Sequence, residues 1–160
     1  MFKTILEYLI PVWYYTSGSI QSIKYLHTRK KSIEILNNAK KNINSTRDLE
    51  DWYKNNNFKY SSDKVDLSSL PWVTISRLGG DCDDFMSLAY EILKDKKECY
   101  RALIYIKGSG HAIVIIKEDD EFVLMSNMDR IKGFKTIDEA ARYFYQHYYQ
   151  QKTKTILYLK

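Results

Sequence analysis

"RLGGDCDDFMSLAYEIL", Arg77 to Leu93, is the stretch that decides how this chain is read. From Cys82 onward Phe85, Met86, Ala89, Ile92 and Leu93 recur at three- and four-residue spacing, which predicts a helix burying one face. Glycines precede it at 79 and 80, and aspartates crowd its first turn at 81, 83 and 84. A buried structural thiol gains nothing from such neighbours. A reactive one does, because unsatisfied N–H groups at a helix start favour the thiolate that attacks carbonyl carbon. Gly79 and Gly80 would let the chain turn sharply into the helix beside a bound substrate.

The aspartates oppose this chemistry. A carboxylate about 6 Å from the sulfur, at an effective dielectric of about 20, disfavours thiolate by roughly 3 kcal/mol, more than a helix end returns. The acids must therefore point away, Asp81 as an N-cap, or a cation must stand beside the sulfur. The expected cation is protonated His111, which opens an apolar run directly after "GSG". Its imidazole needs an acceptor on the other nitrogen to fix tautomer and orientation, and "MSNMD", Met125 to Asp129, supplies candidates. An odd-numbered turn, Glu118 to Asp120, would set Asn127 opposite His111 with Asp129 two residues further on the same face; an even turn would bring Ser126 and Met128 round instead. Since asparagine and aspartate accept from imidazole and methionine does not, the odd turn is expected, with Asn127 ahead of Asp129.

Outward from this centre the chain is punctuated by only two prolines, Pro11 and Pro71. Apolar residues near helical spacing from Ile20 to Ile43 predict one long helix or two shorter ones. "NSTRDLEDWYKNNN" opens with cap-type Ser45 and Thr46 and ends in asparagines, so it predicts a short helix. "FKYSSDKVDLSSLPWVTISRLGG", 58 to 80, holds no sustained period and is expected to be a long, partly extended connection. "CYRALIYIK", "HAIVIIK" and "EFVLMS" predict an antiparallel meander. A capping box, Thr136 to Glu139, starts another helix, and "TILYLK" a last strand.

These elements together resemble the transglutaminase-like cysteine protease superfamily, on the wider papain-like plan. The likeness rests on "RLGGDCDDFMSLAYEIL", "YRALIYI", "GHAIVII" and "EFVLMSN", and covers roughly Ser45 to Asp129. It implies an α+β fold with N-terminal helices and a central helix, Cys at its N-terminus, packed on an antiparallel β-sheet. In that plan Cys82 is the nucleophile, His111 the general base and acid, and Asn127, or alternatively Asp129, the third member; Arg101 matches the arginine at the start of the following strand, and Trp72 is a candidate second oxyanion donor beside the Cys82 N–H. The implied activity is cysteine-dependent acyl transfer on an amide of a protein or peptide, by a thiol protease or amidohydrolase. Two departures stand out: "KKEC" replaces the usual glycine before the arginine, and Asn127 stands where Asp is commonest. The second favours the alternative, a catalytically silent fold used as a binding or structural module.

The 160 residues suit one domain, a helical segment over 1–44 and a catalytic core over 45–160. The charge of +5 comes from 25 basic and 20 acidic residues mixed along the chain, so no specific nucleic-acid partner is expected; the concentration from Lys24 to Lys41 has the pattern of a solvated helix face. With two cysteines, reduced thiols are expected in a cytoplasmic protein. "MFKTILEYLIPVWYY", broken by Glu7 and Pro11, is too short for a transmembrane segment and lacks a cleavage site. No cofactor or metal is expected: Asp81, Asp83, Asp84 and His111 make a poor zinc set and no calcium loop. His27 and His147 are read as surface residues, and Cys99 as a small strand residue.

Overall fold

A computed structural model describes residues 22–62, 68–106, 109–148 and 155–159. The opening apolar segment "MFKTILEYLIPVWYY" lies outside these residues. A 3-10 turn, Leu26–Thr28, breaks the first helical region ahead of α1, Arg29–Asn42. α2, Thr46–Asn55, begins as its sequence predicts: Ser45 Oγ accepts from the Asp48 N–H at 3.1 Å while Asp48 Oδ2 accepts from the Ser45 N–H at 3.0 Å. It ends in the asparagines, with Asn57 at φ 55°.

The expected long connection from 58 to 80 is more ordered than its composition suggested. It holds β1, Lys59–Tyr60, α3, Pro71–Arg77, and β2, Gly79–Gly80. Proline is suited to the first turn of a helix, where its missing N–H is no loss, and Trp72, Val73 and Ile75 bury α3 against its neighbours. β1 and β2 form a short parallel ladder pairing Lys59 with Gly79 and Tyr60 with Gly80. The ladder gives the glycines their reason. A Cβ on Gly79 would sit 2.1 Å from the Lys59 carbonyl oxygen, and one on Gly80 would sit 2.2 Å from Asp84 Oδ2. Neither has a positive φ, so the requirement is close approach of backbone and side chain rather than a special turn.

α4, Cys82–Leu93, carries the predicted apolar face. Its partner is an antiparallel five-stranded sheet in the order β6-β5-β4-β3-β7. The strands are β3, Cys99–Ile106, β4, Ser109–Glu118, β5, Glu121–Ser126, β6, Asp129–Phe134, and β7, Thr155–Leu159. β6 was not expected; "DRIKGF" has no clean alternation and a mid-strand Gly133 at φ 97°. Leu103, Ala112, Val114, Ile116 and Met125 pack with α4 and α2 in one core cluster. Ala102, Ile104, Ile113, Ile115 and Leu124 pack with α5, Ile137–Tyr148, in a second cluster on the other face. Thr136 Oγ1 accepts from the Glu139 N–H at 3.1 Å, half of the capping box expected for α5.

The register corrects the odd turn expected between β4 and β5. Glu118 pairs with Glu121 and Val114 with Met125, leaving a two-residue turn of Asp119 and Asp120, with Asp119 at φ 52°. The turn is even. Replacing Gly79 by alanine forces its Cβ into fixed backbone, so Gly79→Ala is expected to lower unfolding free energy by about 2 kcal/mol or more, read from the urea midpoint at unchanged slope.

Candidate functional site

Cys82 is the first residue of α4 and half-buried, packed against the cluster that holds Ala112 and Met125. What holds it there is the carboxylate of Asp84. Ser69 N–H donates to Asp84 Oδ1 at 2.6 Å, Asp81 N–H to Oδ2 at 3.4 Å, and Arg77 Nη1 to Oδ2 at 3.3 Å. One side chain therefore ties α3, the segment before it and the start of α4 together. The group is fully buried, and this burial, followed by the charge of Asp81, pushes its carboxyl up to about 6 despite Arg77.

Asp83 eases part of the electrostatic difficulty in the sequence. Burial, reinforced by the neighbouring acids Asp81 and Asp84, pushes its carboxyl up to about 9. Asp83 therefore favours its protonated, uncharged form, and in that form it does not oppose a thiolate at Cys82. Oxygens of Asp81, Asp83 and Asp84 lie within 4.8 Å of one another, the only described trio close enough to surround a cation. An all-carboxylate set suits a hard cation and not zinc. The proton on Asp83 and the guanidinium of Arg77 already reduce its charge.

On the sheet, His111 is half-buried near the start of β4 and its Nε2 lies 3.0 Å from Ser126 Oγ. The even turn causes this: Ser126 shares the face of His111, and Asn127 does not. Asn127, expected as the acceptor, instead occupies the turn into β6 with φ 53°, a left-handed conformation that asparagine tolerates better than most residues. Asp129 is exposed, pairs with Ser126 and begins β6. The signal that could have found Ser126 was the pair of adjacent aspartates, Asp119 and Asp120, a two-residue hairpin turn in which the first takes positive φ.

Burial also changes the role of the imidazole. It pushes His111 down to about 4, so the resting side chain is a neutral base and not the expected protonated cation. Cys99, half-buried at the start of β3, has its thiol pushed up to about 12 by burial and then by Glu118 and Glu98. Arg101 stacks on Tyr90, its guanidinium carbon 4.4 Å from the ring centroid. Trp72 is buried within α3 with Arg29 over its ring at 5.9 Å. His27 lies in the exposed 3-10 turn, and His147 stacks on Tyr143 at 4.0 Å. Within the basic region Lys40 is paired with Glu91 at 2.6 Å and Asp95 at 3.3 Å.

No protein-family model and no curated protein matches the chain. No described helix is long and apolar enough to cross a membrane.

The buried acid and base act on stability in opposite senses. Asp83 titrates near 9 folded against an ordinary value of 3.8, so the stability of its protonated form declines as pH rises between those values. His111 titrates near 4 folded against 6.5, so its contribution is complete above 6.5 and is lost as pH falls toward 4. Between about pH 6.5 and 9 the Asp83 proton governs, and stability should fall by up to about 1.4 kcal/mol per pH unit. Asp83→Asn, which keeps the shape without the titration, is expected to flatten that slope in urea melts taken across this range.

Proposed function

We propose that this chain is a cysteine-dependent acyl-transfer enzyme of transglutaminase-like, papain-like plan, in which Cys82 attacks an amide carbonyl and His111 handles the proton. The observation that carries the reading is Cys82 at the first turn of α4, over a sheet whose second strand opens with a His111 hydrogen-bonded to Ser126. The spacing supports it. α4 has twelve residues, about 18 Å of helix. Leu93 at its end shares a core with Ile116, whose strand partner Cys99 follows after a tight turn. Running back 18 Å at about 3.3 Å per residue covers five to six strand residues, which brings the helix start level with Ile104 and its partner His111.

Strand alternation sets a condition. His111 has the register of Ile113 and Ile115, whose side chains belong to the cluster away from α4. The imidazole and the sulfur must therefore meet round the open end of the strands, where β4 begins, and not through the sheet.

In this mechanism the Cys82 sulfur forms a bond to the amide carbon while His111 takes the thiol proton. The tetrahedral intermediate collapses as the C–N bond breaks, and the same proton passes to the departing amine, leaving a thioester. Water then adds to the thioester carbon, giving its proton to His111 and releasing the carboxylic acid and the thiol. The Cys82 N–H at the helix start is a donor for the oxyanion. Ser126 takes the third place, fixing the ring through Nε2 in the role expected of Asn127 or Asp129. No metal or cofactor enters any step. The substrate is a protein or peptide.

Alkylation by iodoacetamide, followed by mass spectrometry at pH 7, tests the central assignment. Cys82 is expected to react at least about tenfold faster than Cys99, and His111→Ala to remove most of that advantage. Ser126→Ala should reduce it less, because the ring keeps its place while losing its fixed orientation. Equal rates, or a faster Cys99, would favour the silent binding module.

A further inference from the structure

Large apolar side chains left in water are informative when they gather in one place. Among the described residues six stand out as exposed: Ile23, Leu26, Tyr60, Leu78, Tyr105 and Tyr158. Ile23 and Leu26 belong to the approach to α1, and Tyr158 pairs with Ala102 on the sheet face away from α4. The other three lie next to the segments that carry Cys82 and His111.

Tyr60 pairs with Gly80, two residues before Cys82. A side chain on Gly80 would run into Asp84, so that face of the β1–β2 ladder looks onto the first turn of α4, and the Tyr60 ring, 52% exposed, shares it. Leu78 ends α3 at φ 50° and ψ 43°. This is a left-handed cap that glycine or asparagine fills with least strain. A leucine held there, 46% exposed, is unfavourable in both conformation and solvation, the kind of local cost that persists where function requires it. Tyr105 lies opposite Gly110, the residue before His111, and a Cβ on Gly110 would touch its ring at 3.7 Å. By alternation with Leu103 it is on the Cys82 face of the sheet, and it is 38% exposed.

We infer that Tyr60, Leu78 and Tyr105, the last on the sheet face that carries α4 and Cys82, form the apolar walls of the substrate cleft, selecting a polypeptide acyl donor with a bulky apolar side chain next to the carbonyl that Cys82 attacks. The inference rests on the acyl-transfer reading. None of the three wall residues carries a formal charge at neutral pH, so the side chain they suit is aromatic or branched aliphatic and not acidic or basic.

Two tripeptidyl chloromethyl ketones, identical except for a terminal Phe or Gly, test it on the full chain. In each, the Cys82 sulfur bonds to the methylene carbon, chloride leaves, and the thiol proton is lost to His111. The Phe reagent is expected to label Cys82 at least about tenfold faster than the Gly reagent, within the range one buried apolar group supplies. Tyr60→Ala and Leu78→Asn, the latter keeping a residue suited to the left-handed cap, should each bring that ratio toward one. A ratio near one in the native chain, or one that neither variant alters, overturns the inference while Cys82 still outpaces Cys99 toward iodoacetamide. If Cys82 does not outpace Cys99, the acyl-transfer reading fails and the inference falls with it.

Discussion

The rest of the site depends on a buried carboxylate, Asp84. Its two oxygens collect N–H groups from Ser69 and Asp81 and the guanidinium of Arg77, and the bare Gly80 lets it do so. With a side chain at 80 the carboxylate would be displaced, because the Cβ would lie within 2.5 Å of Asp84 Cβ. A fully buried carboxyl is costly unless its oxygens are satisfied. Here the same three contacts that satisfy it also fix where α3 ends and α4 begins. The position of the Cys82 sulfur is therefore a consequence of how one acid is accommodated.

A second polar knot holds the sheet to the helices. Glu118, at the end of β4, accepts from the Thr46 N–H at 2.6 Å and the Thr46 hydroxyl at 2.7 Å, while Arg130 Nε donates to that hydroxyl oxygen at 2.6 Å. The start of α2 thereby gains an acceptor for an orphan N–H, and β4 and β6 are tied to it. Lys96 does the corresponding work at the other end, its ammonium donating to the Ile43 carbonyl at 2.6 Å just past α1. Removing one partner of such a buried network leaves the others unsatisfied. The apolar clusters on the two faces of the sheet supply most of the driving force, and these knots determine which helix face meets which strand.

The central helix, the meander, the last strand and the capped starts of α2 and α5 were legible because each has a local signature: a period, a cap residue, or a β-branched run between turns. Cys82 at a helix start and His111 near a strand start were legible for the same reason, but the sheet face of His111, which the register turns away from α4, was not. What escaped was decided by contacts distant in sequence. Pro71 announced a helix start, but the serines and aspartate around it outweighed it in a composition-based reading, and α3 owes its order to burial of Trp72, Val73 and Ile75. The glycines were assigned to a turn when their real constraint is Lys59 and Asp84. Asn127 was chosen because its chemistry suits an imidazole; the register instead gives Ser126 that neighbour and places Asn127 where its tolerance of positive φ is used.

Burial gives the two key ionisable groups the same character. Burial pushes Asp83 up to about 9 and His111 down to about 4, so near pH 7 both favour their neutral forms, the acid beside Cys82 and the imidazole on the strand. A buried site filled with permanent charges would need a partner for each of them. With both groups neutral, the charge separation of thiolate and imidazolium can be deferred to the encounter with substrate, where the helix start and an oxyanion can share it. In the proposed mechanism, proton transfer from Cys82 to His111 therefore belongs to the step that forms the carbon–sulfur bond and does not precede it. In the same proposed mechanism Asp84 positions the helix, and Asp83, in its protonated form, does not oppose the thiolate.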